Sequence, residues 1–202
     1  MVGIMDFQEA KTILSKTIGE EFTFWAEFVN EIIQELNINQ KDKFLDLGTG
    51  WGIMAIILAL NSFNVITGEP ETSIEESHQG GFSDRHKSAK AVGVENKIKY
   101  QQLDAEALHF PDESFDAVFM LDTLQHIKKK IRALTDCLRV VNSKGILCVI
   151  EHNKNGVEYC QTESGFTPDL VVPISFLKDE KSTVEVITGK LANAYIFKKS
   201  AC

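Results

Sequence analysis

At 202 residues and 22.6 kDa the chain fits one domain and is long enough to bury a core. Its 44% apolar content excludes an intrinsically disordered protein. With 21 Lys and Arg against 29 Asp and Glu, the net charge of −8 and a pI near 5.2 argue against a nucleic-acid binder, whose affinity rests on clustered cations.

The predicted elements begin with two helices. Asp6 to Lys16 and Phe22 to Leu36 carry apolar residues at three- and four-residue spacing, among them Phe22, Trp25, Val29, Ile32 and Ile33. A short strand, Phe44 to Leu47, then runs into a glycine-rich turn. Ile53 to Leu60 follows as a helix that is apolar nearly all round and so is expected to be buried. Phe63 to Thr67 reads as the second strand, rich in β-branched residues. Residues 83 to 92 can form a helix stopped by Gly93, and Ile98 to Gln102 reads as the third strand. Phe115 to Leu121 is the fourth, Ile127 to Val141 a helix ended by the glycine of Ser143-Lys144-Gly145, and Gly145 to Glu151 the fifth strand. Asn153 to Asp169 is polar and turn-rich, the loosest part of the pattern. Thr183 to Thr188 and Ala194 to Lys198 predict an antiparallel hairpin closing one edge of the sheet. Strands alternating with helices predict an α/β class with a parallel sheet covered on both faces.

No apolar run approaches the roughly 20 residues that a spanning helix takes, and the start, MVGIMDFQEA, lacks the pattern of a signal peptide. The four cysteines, Cys137, Cys148, Cys160 and Cys202, form no CxxC pair, which predicts reduced thiols and a cytoplasmic location. No histidine pair has a metal-ligand spacing, so no metal is expected.

The informative stretch is Asp46-Leu47-Gly48-Thr49-Gly50-Trp51-Gly52, between a strand and a helix. Glycines there let the backbone turn sharply and let a ligand approach without a side chain in the way. The following helix offers unpaired N–H groups at its start. The dinucleotide pattern GxGxxG/A fits poorly, because the third glycine comes one position too soon and position 53 is Ile.

The spacing DxGxGxG instead resembles motif I of the class I S-adenosylmethionine-dependent methyltransferases. ITGEP after the second strand resembles that family's acidic ribose-binding position. Residues 103 to 121 resemble the approach to its fourth strand, and residues 138 to 151 the helix–turn–strand that follows. The wording DAEALHFPDESFDAV is similar to the ubiquinone/menaquinone-biosynthesis-like (type 11) group. The resemblance spans roughly residues 40 to 152. It implies a Rossmann-like doubly wound sheet, mostly parallel, and S-adenosylmethionine as cofactor. It also implies a single domain: N-terminal helices over 1–40, a cofactor-binding core over 41–152, and an acceptor-side loop with the hairpin over 153–202.

Carried over residue by residue, the resemblance places the cofactor on Gly48, Thr49, Gly50, Trp51 and Gly52. Asp46 orients the turn or reaches the methionine end of the cofactor through water; as a buried cap of turn N–H groups it has a purely structural alternative. Trp51 either shields the cofactor or packs. Glu69 is the ribose carboxylate, since one ionised acceptor can serve two vicinal hydroxyls, and Glu71 competes with it. Asp104, with the Ala105 backbone, recognises the adenine amino edge or caps a short turn. Leu121 forms an apolar wall. His126, just past the fourth strand, is the expected general base, with Asp122, Gln125 and His152 as alternatives. The stretch from Glu69 to Asp104 is longer than the family pattern, and the extra residues around ETSIEESHQGGF are either a flap or a surface insertion.

The implied reaction is in-line transfer of a methyl group to a small-molecule acceptor, with no nucleic-acid partner. Two other readings stay open: a cofactor-binding module acting through a partner, and a nicotinamide-dependent oxidoreductase.

Overall fold

The structure, a computed structural model, describes residues 5–36, 38–39, 42–70, 81–177 and 182–199. Two compact units divide the chain, Met1–Leu103 and Asp104–Cys202.

In the first unit, helix α1 (Phe7–Thr17) starts at Asp6, whose carboxylate accepts from the Gln8 N–H at 3.0 Å. Gly19, at φ +88°, separates it from α2 (Glu20–Glu35). The apolar stripe of α2 is buried as its periodicity predicts, with Phe22, Trp25, Ala26, Val29, Ile32 and Ile33 inside. It packs on α3 (Ile53–Leu60), all eight of whose residues are buried. A helix this short is unstable in water on its own. Burial of its large side chains, worth roughly 1.5–3 kcal/mol each, holds it.

Strands β1 (Phe44–Leu47), β2 (Val65–Glu69) and β3 (Ile98–Gln102) lie parallel in the order β3-β2-β1. The second strand starts two residues later than Phe63. Its pairing with β1, Val65 opposite Phe44 and Gly68 opposite Leu47, fixes its span. Phe63 instead sets its ring 4.8 Å from that of Phe44. Gly68 sits in the strand because a Cβ there would lie 2.2 Å from the Gln101 carbonyl oxygen. Helix α4 (Gly81–Ala91) precedes Gly93 at φ +72°, and its start lies two residues before the expected one. Residues 71–80, with Glu71, His78 and most of the inserted stretch, lie outside the described residues.

In the second unit, β4 (Phe115–Leu121) and β5 (Val141–His152) are parallel, linked through α5 (Lys130–Val140). The sequence expectation erred here. The helix starts three residues late, after a short 3-10 turn over Leu124–His126, and the strand begins directly at Val141. Gly145 does not stop the helix. It lies at a bulge, where pairing steps from Phe115–Val141 to Ala117–Ile146, and its Cβ would stand 2.4 Å from the Asp116 carbonyl oxygen. The stretch read as loosest contains α6 (Lys154–Glu163), started by Asn153, whose side chain accepts from the Gly156 N–H at 3.0 Å. The hairpin of β6 (Ser182–Thr188) and β7 (Ala192–Lys199) is present, and β7 pairs antiparallel with β5. Cys137 and Cys148 are buried. Among the described residues no helix is long and apolar enough to cross a membrane.

Candidate functional site

The first unit gathers seven of the sequence-predicted residues around the glycine turn. Gly48 follows β1 at φ +85°, and its N–H donates to the Gly68 carbonyl at 2.9 Å. Gly50 and Gly52 follow at φ +46° and +78°, conformations that other residues adopt at a cost. At Gly50 a Cβ would meet nothing within 4 Å, so the turn has open space beside its backbone. Trp51 is 38% exposed and is not a core side chain.

Beneath the turn lies a buried polar chain. The Thr67 hydroxyl donates to Asp46 Oδ2 at 2.7 Å, and the Thr49 and Thr67 hydroxyls are 2.8 Å apart. Because Thr67 spends its proton on Asp46, Thr49 donates to Thr67. Asp46 Oδ1 is buried and has no hydrogen-bond partner among the described residues. Burial pushes the Asp46 carboxyl up to about 7, opposed by the Thr67 bond and by Arg85 and reinforced by Glu69. Asp46 is buried, as its structural alternative expects, but it takes the Thr67 hydroxyl instead of turn N–H groups, and its other oxygen is unspent.

Glu69 ends β2 and is buried, its side chain paired with Arg85 of α4. Glu69 Oε2 accepts from the Gly50 N–H at 3.3 Å, and Arg85 Nη1 donates to the Gly50 carbonyl at 3.3 Å. The Arg85 guanidinium lies over the Tyr100 ring, 5.4 Å from its centroid. Sequence reasoning missed Thr67, Arg85 and Tyr100. Thr67 was legible as a strand residue two places before Glu69, facing the same side. No spacing signals that Arg85, beyond the inserted stretch, returns to Glu69.

The second unit holds the other four. Asp104 is exposed and accepts from the Glu106 N–H at 2.8 Å, so its turn-capping role is present. Ala105 is buried beside it. Leu121 ends β4, half-buried, and His126 closes the 3-10 turn with an exposed side chain. Between them Asp122 takes the left-handed φ of +49°, accepts from Gln125 at 2.6 Å and lies 3.5 Å from His152 Nε2. Glu151 is buried, with Oε1 accepting from the Leu124 N–H at 2.7 Å. Burial and the nearby Asp122 charge push its carboxyl up to about 8. Asp122, Gln125 and His152 are thus one cluster at the carboxyl ends of β4 and β5, where parallel sheets bind ligands.

The family described as "Methyltransferase domain" matches residues 45–149. A 27-O-demethylrifamycin SV methyltransferase from Amycolatopsis mediterranei is 31% identical over 114 residues, which is 56% of this chain and 40% of that protein. A ubiquinone/menaquinone biosynthesis C-methyltransferase UbiE from Cronobacter sakazakii is 27% identical over 131 residues, 64% of this chain and 49% of that protein. The chain therefore spans less than half the length of these curated relatives. A SAM-dependent methyltransferase from Methanosarcina mazei superposes with a TM-score of 0.61 at 17% identity, covering 85% of this chain and 98% of that one. At that identity the likeness shows the fold, the α/β class that the strand–helix alternation predicted, in the Rossmann-like form that the family resemblance implied.

Proposed function

The chain belongs to the methyltransferase domain family, and on that premise we propose that it moves a methyl group from S-adenosylmethionine to a small-molecule acceptor. The family implies S-adenosylmethionine as the cofactor. The observation that carries the reading is the glycine turn: open space at Gly50, an unspent buried oxygen on Asp46, and the Glu69 carboxylate held against the Gly50 N–H. These groups fit a ligand that presents an amino-acid end and a sugar diol.

Bound there, the cofactor supplies a methyl group already activated on a cationic sulfur, which leaves as a neutral thioether in an in-line displacement. The protein's task is therefore mainly to position and to exclude water. The turn from Gly48 through Gly52 offers backbone N–H groups, and Thr49 fixes the chain of hydroxyls behind them. In the first unit Glu69 accepts from the ribose and Trp51 is a cover; for the second unit the family resemblance assigns Asp104 and Ala105 to the adenine edge and Leu121 to an apolar wall. For an acceptor that must lose a proton, His126 is the base, since its exposed imidazole is free to meet a ligand. Asp122 and His152 form the competing pair, with His152 buried. That both relatives are named for small-molecule chemistry supports an acceptor of that class.

Calorimetric titration with S-adenosylhomocysteine tests this. The wild type is expected to bind, and Gly50→Asp, which fills the open space beside the turn, is expected to bind at least about 30-fold more weakly. Unchanged affinity in Gly50→Asp would remove the site.

A further inference from the structure

We propose that Arg85 is a positioning residue for the ribose carboxylate, holding Glu69 and the Gly50 peptide as one preformed unit. The proposal rests on the cofactor reading of Glu69 and goes beyond it.

Arg85 is 3% exposed and Glu69 8%. Charges so buried persist only when paired and hydrogen-bonded. The pairing here has a particular form. Glu69 Oε1 takes the guanidinium and Oε2 takes the Gly50 N–H, while the same guanidinium nitrogen, Nη1, returns to the Gly50 carbonyl. Both backbone polar groups of the middle glycine are thereby tied to one ion pair. The guanidinium cannot swing freely, because the Tyr100 ring lies against it and the His86 ring lies 4.1 Å from that of Tyr100. The third glycine admits the helix that carries it: a Cβ at Gly52 would come within 3.2 Å of Arg85 Cβ.

The consequence is electrostatic as well as geometric. Glu69 is a buried carboxylate close enough to raise the Asp46 carboxyl, and Arg85 is the cation that opposes this rise. With Arg85 in place, the Glu69 carboxylate is held in a fixed rotamer, and a carboxylate acceptor makes stronger hydrogen bonds to hydroxyls than a neutral one. A preformed carboxylate also spares the ligand the cost of ordering it.

The test is a double-mutant cycle on the full chain, read by titration with S-adenosylhomocysteine and with its 2′,3′-dideoxy analogue. Arg85→Met is expected to weaken S-adenosylhomocysteine binding about tenfold when Glu69 is present, and less than about twofold in a Glu69→Gln background. The dideoxy analogue, lacking the hydroxyls, is expected to bind wild type and Arg85→Met within about twofold of each other. A purely structural role for Arg85 would weaken both ligands alike. If Arg85→Met does not fold, Arg85→Lys keeps the charge and loses the fork. It is expected to lose about threefold with the same dependence on Glu69. Equal losses in both backgrounds, unchanged binding, or tighter binding in the Arg85 variants would each overturn the proposal; tighter binding would mean that the pair competes with the ribose. A wild type that binds no S-adenosylhomocysteine would overturn the cofactor reading and, with it, this one.

Discussion

At Asp122 the backbone takes a left-handed φ, which Asp tolerates better than most residues, and the turn that follows sends His126 outward and leaves His152 buried. That difference separates the two candidate bases. His126→Ala is expected to lower kcat about 100-fold, with thermal stability unchanged. His152→Ala is expected to lower the melting temperature, as loss of a buried partner does, with a smaller effect on kcat. A 100-fold loss in His152→Ala at an unchanged melting temperature would transfer the role to the Asp122–His152 pair. The glycine turn, Asp46 and Glu69 were singled out because a local motif at the ends of β1 and β2 marks them, although their partners Thr67, Gly50 and Arg85 lie far along the chain. Arg85 was not, because its meaning comes from a fold-back across the inserted stretch. Glu71, the rival to Glu69, lies outside the described residues.

Elements were legible where one local signal dominated. β1, α3 and β4 have the spans their apolar residues predict, each bounded by polar or turn residues, and β3 has its expected span although Lys99, Gln101 and Gln102 are polar. Boundaries failed where a residue's local habit was overridden by packing. Gly145 reads as a helix stop in isolation, yet it is Gly because Asp116 crosses closely behind it. Asn153 to Asp169 read as the loosest stretch, within a region that allows one short helix, and that helix is there, capped by Asn153 and built of mostly polar residues. Gly68 is the sharpest case of packing over propensity, a glycine inside a paired strand. Gly68→Ala forces β2 away from the Gln101 carbonyl and is expected to destabilise the protein by about 2 kcal/mol in urea unfolding. A stability equal to wild type would show that β2 and β3 separate at no cost.

The molecule as a whole carries eight net negative charges, but its pH dependence is set by two buried carboxyls rather than by that total. Asp46 and Glu151 are raised to about 7 and about 8. Between the unfolded carboxylate value near 4 and those figures, the folded protein keeps protons that the unfolded chain has released. Unfolding then releases protons, so rising pH favours it. Stability is expected to fall from pH 5 to pH 8 and to level off above that. Asp46→Asn and Glu151→Gln are each expected to remove about half of the fall, measured by urea denaturation at the two pH values. A stability that rises over this range would contradict the burial of both groups. Helix α3 adds a different constraint. Having no wet face, it offers solvent no partial way in, and its first residue follows directly on Gly52. The ligand-facing loop is thus anchored to the segment with least freedom to fray. Damage to α3 would therefore register as failed recognition and failed folding in a single event, with no loosened but still competent form between them.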